Sequence, residues 1–223
     1  CISSAASDVY KRQQGVLNVT EDKFEVIAEN GSVDIFGGKG LNIKNDLTIV
    51  SASDSSLTSE NGLIDIGNKA TVKAGTQSGL DQENPQYGKV SVIAGKSFSI
   101  RHDAQILSDD LLVSAEKDIR FGDKATLVGA TDGVTVRSSE GSIYMGENLT
   151  VSSNSDKTLF EAGKDIVIDR DATLNSEKNS VVFSAGQDIK FEEDFTVHGK
   201  GFELNAQGSL QVGDKATVQT DFG

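Results

Sequence analysis

The chain has 223 residues, of which 36% are apolar, 25% charged and only 6% aromatic, with no Trp and a single Pro. A net charge of −13 argues against nucleic acid as a partner, because phosphate contacts need clustered Lys and Arg, and against adhesion to an anionic membrane surface. No apolar run approaches the roughly 18 residues of a membrane span, so no direct membrane insertion is expected.

In chain order, Cys1–Gln13 comes first and shares no pattern with anything downstream; the chain does not begin with Met. This stretch resembles a translated sequencing-library adapter and is set aside as non-native, which leaves 14–223 as one repeat domain. On that reading Cys1, the single cysteine, supplies neither disulfide nor thiol chemistry. Without Asp8, Lys11 and Arg12 the charge moves from −13 to −14, so the acidic character stays. The C-terminal stretch stops in mid-unit after Ala216-Thr217-Val218, and the chain is read as a fragment.

From Phe24 onward one short pattern recurs: a corner Asp, Asn or Lys, an apolar residue, usually Thr, then another apolar residue. It begins at 24, 47, 70, 104, 125, 149, 172, 195 and 216, in steps of 23, 23, 34, 21, 24, 23, 23 and 21. Six residues before each Thr-bearing segment from Leu47 on starts an alternating apolar pair, among them Ile64/Ile66, Ile119/Phe121, Ile143/Met145, Ile166/Ile168, Ile189/Phe191 and Leu210/Val212. A third pair precedes that one, as in Val33/Ile35, Val90/Val92, Leu111/Val113 and Val134/Val136; the units holding Leu57 and Phe160 match less well. Small corners such as Ala94-Gly95-Lys96 and Ala162-Gly163-Lys164 follow the third pair.

Alternation with period two marks a strand buried on one face. Three such strands in about 23 residues leave no room for hairpins, so each pairs with its counterpart one coil later. The expected fold is all-β: a single-stranded, right-handed parallel β-solenoid, or β-helix, of about nine coils of 21–24 residues, three strands per coil. Like residues stack about 4.8 Å apart, which gives a rod roughly 40 Å long. Ile119, Ile143, Ile166, Ile189 and Leu210 are predicted to form one core column.

The long step holds an insertion, residues 75–88, with Pro85 and the exposed-looking Leu80 and Tyr87. Solenoids expel such residues as surface loops, often on a binding face. Together with the outward threonines Thr126, Thr150, Thr173 and Thr196, these three residues are the candidate interaction surface. A water-ordering face would want two parallel Thr rows, and the outward position two residues on is mixed: Val50, Lys73, Val128, Ser152, Asn175, His198 and Gln219.

Corner carboxylates (Asp22, Asp46, Asp103, Asp123, Asp171, Asp194 and Asp214) invite a calcium reading. Without the glycine-rich nonapeptide of calcium-loaded β-rolls they suit tight corners better, because Asp tolerates positive φ. His102 and His198 lie far apart in coil number, Arg101 and Arg120 sit out of register by two residues, and no G-x-S-x-G nucleophile motif occurs. No catalytic, cofactor or metal residue is expected. Sequons at Asn18, Asn30 and Asn148 permit secretion.

The runs Ser114-Ala115-Glu116-Lys117-Asp118-Ile119, Glu161-Ala162-Gly163-Lys164-Asp165-Ile166 and Ser184-Ala185-Gly186-Gln187-Asp188-Ile189 resemble repeats of filamentous-haemagglutinin-type adhesins. The resemblance spans about residues 90–220 and implies a secreted β-helix forming part of a surface fibre. The coils here are longer and more acidic than those repeats. Val134–Ile143 resembles the extracellular β-helix of sarcoglycans, without that family's cysteine-rich end. The expected function is a non-catalytic, elongated structural or adhesive scaffold of an extracellular or cell-surface protein, meeting a protein or glycan ligand and neighbouring coils of a longer chain. The alternatives are a sarcoglycan-like complex subunit and a carbohydrate-binding or carbohydrate-active solenoid.

Overall fold

The computed structural model of the chain describes residues 2–4, 8–80 and 86–220. Every strand pairing among them is parallel, and its partner is the equivalent strand of the neighbouring coil. The Thr-bearing strands form one wall, with Glu25, Thr48, Thr71, Gln105, Thr126, Thr150, Thr173, Thr196 and Thr217 in a single register column. A second wall stacks Leu17, Leu41, Ile64, Phe98, Ile119, Ile143, Ile166, Ile189 and Leu210. The linking wall between them carries Val33, Ser55, Val90, Leu111, Val134, Thr158, Val181 and Phe202. The molecule is a β-solenoid of about nine coils.

The isoleucine wall is a sheet of nine strands among the described residues. The threonine and linking walls join into one sheet, because Gln105–Ala115, Thr126–Ser138, Thr173–Ala185 and Thr196–Ala206 each run through the corner unbroken. The ladder also reaches N-terminal of residue 14. Val9–Gln13 pairs in register with Val33–Gly37, although Val9 alone of its inward positions is buried. Parallel pairing uses backbone groups and accepts any extended segment, so a stretch without the apolar column still adds a strand. Lys11 instead lays its ammonium 4.8 Å from the centre of the Phe24 ring.

The core is one continuous stack. Ile119, Ile143, Ile166 and Ile189 are fully buried, whereas Leu210, in the same column, is 49% exposed because no described coil covers it. The two units that break the third pair place Ser55 and Thr158 inward. Both hydroxyls are satisfied at a corner, Ser55 by Ser51 at 2.8 Å and Thr158 by Ser153 at 2.9 Å, so the register survives a polar residue. Aromatic rings are scarce but concentrated. Phe160 stacks on Phe183 at 4.9 Å, Phe191 on Phe195 at 4.2 Å, and Phe183 meets Phe191 edge-on at 5.1 Å.

Corners follow a stricter rule than composition suggests. Lys23, Asp46, Lys69, Asp103, Lys124, Asn148, Asp171, Asp194 and Lys215 all have φ between 56° and 63°, and each immediately precedes the first inward residue of the threonine wall. A left-handed residue costs an L side chain about 1–2 kcal/mol, least for Asn and Asp. Four of the seven corner aspartates named above occupy this position. Asp22, Asp123 and Asp214 instead stand one residue earlier and leave the left-handed site to a lysine.

Two side-chain ladders tie corner to corner. Before the threonine wall, the N–H of Asn68 donates to Asn45 Oδ1 (2.9 Å), that of His102 to Asn68 Oδ1 (3.2 Å), that of Asp123 to His102 Nδ1 (3.3 Å) and that of Glu147 to Asp123 Oδ1 (3.1 Å). Before the isoleucine wall, Ser142 donates to Asp118 Oδ1 (3.0 Å), Asp165 to Ser142 Oγ (3.2 Å), Asp188 to Asp165 Oδ1 (3.2 Å) and Ser209 to Asp188 Oδ1 (2.6 Å), again through backbone N–H groups. Asp118, Asp123, Asp165 and Asp188 are spent on holding the next coil.

Candidate interaction surface

The threonine wall presents Thr126, Thr150, Thr173 and Thr196 outward, each half-buried between two inward residues such as Ala125 and Leu127. The row is interrupted by Glu25 and Gln105, so Thr does not run the length of the wall. Beyond it, toward the linking wall, the next outward column reads Val128, Ser152, Asn175 and His198.

That column opens into a groove of about 560 Å³ at the corner of the two walls, spanning four coils. Its polar lining includes Ser152, Asn154, Asn175, Glu177 and His198. The floor is built from Ser153 and Ser176, buried and hydrogen-bonded to each other at 3.1 Å. Small residues occupy the floor because the corner is too narrow for more: the same column holds Ser108, Gly129 and Gly199. Asn154 Oδ1 is buried in the groove wall and has no hydrogen-bond partner. The side chains of Ser152, Asn175, Glu177 and His198 make no hydrogen bond with any described residue either. In the sequence, positions 175 and 198 read only as interruptions of a second Thr row; the corner that turns them into a groove lining is set by register.

The insertion emerges at the same corner, between Thr71–Ala74 and Lys89–Ala94, two coils before the one that carries Val128. Its neck is gripped by Asp109, a fully buried carboxylate. Asp109 accepts the N–H of Thr76 (3.0 Å) and of Gly88 (2.8 Å) on Oδ2, and the hydroxyls of Thr76 and Thr131 on Oδ1. Asp109 is turned inward by the register shift between Ser108 and Asp110, and so the two ends of the loop are pinned by a residue 21 positions beyond the second of them. Gly75 sits at φ 62°, and a Cβ there would lie 2.2 Å from both Asp109 Oδ2 and Gly88 N. A loop neck this tight admits only glycine.

Gly75–Ser78 forms a single 3-10 turn. Leu80, expected to be exposed, is half-buried, its N–H donating to Ser78 Oγ at 3.1 Å. Tyr87 is 48% exposed, yet its hydroxyl donates to Asp132 at 2.5 Å. Desolvation of that hydroxyl, then the Asp132 hydrogen bond and the surrounding Asp110 and Asp109 charges, hold its pKa well above the ordinary tyrosine value. Pro85 lies outside the described residues.

Of the remaining polar groups singled out from sequence, Arg101, His102 and Arg120 line one open pocket of about 320 Å³ over the isoleucine wall, while His198 lies apart from them. Arg120 aligns with Ser99 rather than Arg101, stacks over Tyr144 at 4.0 Å and pairs with Asp118 at 3.0 Å; Arg101 pairs with Asp65 at 3.6 Å. His102 belongs to a corner ladder and His198 to the groove. Among the described residues no three His, Cys, Asp or Glu side chains gather as a metal site would require. No protein-family model, curated protein or solved structure matches the chain.

Proposed function

We propose that the chain is a non-catalytic, elongated scaffold, structural or adhesive, within a larger extracellular or cell-surface protein. The observation that carries this reading is the continuity of the stack: nine strands of the isoleucine wall share one register without a slip. Rigidity then follows from backbone ladders and a core that crosses every coil boundary, and length grows by about 4.8 Å per coil. The adhesin-like Ala-Gly-x-Asp-Ile runs support the same reading, since their alanines fill the narrow corner and their aspartates Asp165 and Asp188 are ladder members. Small-angle scattering tests it directly. A rod cross-section with a length of roughly 40 Å or more is expected, and a scattering curve of a compact sphere defeats the proposal.

A further inference from the structure

We infer that the groove between the threonine and linking walls binds a neutral, hydroxyl-rich chain, a short segment of uncharged glycan lying along the solenoid axis. At the two ladder corners, Asn45, Asn68, Asp118 and Asp165 accept N–H groups from the next coil. In the groove, Ser152, Asn175, Glu177 and His198 have no partner among the described residues, and Asn154 Oδ1 is buried and unpaired. A buried oxygen without a hydrogen bond costs about 1–3 kcal/mol, which a bound donor recovers.

The chemistry of the lining selects the ligand. Amides, a hydroxyl, an imidazole and one carboxylate offer donors and acceptors in roughly equal measure, as vicinal hydroxyls require. The lining carries one carboxylate and the whole chain −13, so a polyanionic glycan is repelled. An extended peptide would need a free strand edge, and here every strand beneath the groove already pairs on both sides: Thr150–Ser153 with the coils before and after it, Thr173–Ala185 likewise. What the groove offers is side chains alone, repeated at the coil spacing over three steps, about 14 Å. That length suits an oligosaccharide of a few residues. The volume, about 560 Å³, falls within the usual range for ligand sites.

This inference gives the scaffold a ligand class and rests on that reading only for the setting in which a glycan is met. The test is titration of the intact chain with cellotetraose, maltotetraose, mannotetraose and chitotetraose, followed by calorimetry and by amide chemical-shift mapping. Trigalacturonate and a Gly-Ser repeat peptide serve as competitors of other chemistry. Saturable binding of at least one neutral tetrasaccharide is expected, with shifts confined to residues near 152–154, 175–177 and 198. Asn175→Ala and His198→Ala should each weaken it by about tenfold, one decade in Kd, while Ser99→Ala on the isoleucine wall leaves it unchanged. Failure of all four neutral probes to saturate by about 10 mM, binding only of the peptide or of trigalacturonate, or binding indifferent to both groove variants overturns the inference. Shift mapping on the unmodified chain keeps the test decisive even if a variant misfolds. A rod that binds none of these probes sinks the glycan site and leaves the scaffold standing; a compact particle sinks the scaffold whatever it binds.

Discussion

Two sets of polar side chains, built from the same residue types, do opposite things on this molecule. At the corner before the isoleucine wall, Asp118, Ser142, Asp165 and Asp188 each accept an N–H from the coil that follows. At the corner that closes the threonine wall, the side chains of Ser152, Asn175 and His198 repeat at the same spacing and, like that of Asn154, accept nothing from it. The difference is geometric. The ladder corners stack turn upon turn, so each side chain faces the backbone above it. At the groove corner the register shifts, between Ser108 and Asp110 and between Ser176 and Ser180. Repetition alone therefore does not make a polar residue structural; what matters is whether the neighbouring coil presents a donor within reach.

The comparison breaks most sharply if core and surface are exchanged. Ile166→Asp puts an unpaired carboxylate into a fully buried column and should cost about 4 kcal/mol or more, read from urea unfolding. Phe183→Ala, which removes the ring at the centre of the aromatic stack, should cost about 3–5 kcal/mol by cavity formation. Equal, small losses at either site would mean that the inward and outward faces have been confused.

Next comes the insertion neck. Asp109→Ala leaves the N–H groups of Thr76 and Gly88 without their acceptor in a buried place, an expected loss of about 3 kcal/mol. Hydrogen exchange should localise the opening to residues near 75–78 and 88. A global loss with no local signature there would argue that Asp109 supports the stack instead of the loop.

The ladders come third. Asn68→Ala removes the acceptor for one backbone N–H in the corner before the threonine wall and should cost about 1 kcal/mol. In the other ladder, the N–H of Ser209 holds the Asp188 carboxyl below the usual aspartate range. The sign follows from linkage: a depressed folded pKa gives stability that is present above the unfolded value and lost as pH falls through the folded one. Melting temperature should therefore drop on acidification below the ordinary aspartate range, and Asp188→Asn should flatten part of that drop. A melting curve indifferent to pH down to about 2 would remove the charged ladder from the account.

How much of this was legible beforehand depends on the range of the interaction. The coil repeat, the three walls and the stacking of Ile119, Ile143, Ile166 and Ile189 are local alternation plus spacing, and both are written in the chain. Ser55 and Thr158 were opaque because a hydroxyl at an inward position reads as a broken strand until its partner at the corner is known. The strand at Val9–Gln13 was invisible for the opposite reason: its pairing is carried by backbone, which leaves no residue pattern. Of the surface, the Thr row showed as a motif. The groove did not, because it depends on how successive coils align where the register shifts at one corner, and no single coil encodes that.

The smallest effect is the one that separates the two polar sets. Asn175→Ala removes a side chain that bonds to no described residue, and its cost to stability should stay within about 0.5 kcal/mol. Its counterpart in the ladder, Asn68→Ala, should exceed that on the same instrument. A side chain that can be deleted without penalty has been kept free of the fold, and what it contributes must be sought in binding. Were Asn175→Ala instead as costly as Asn68→Ala, the groove would be a ladder whose bonds run through water, and its side chains would already be occupied in holding the coils together.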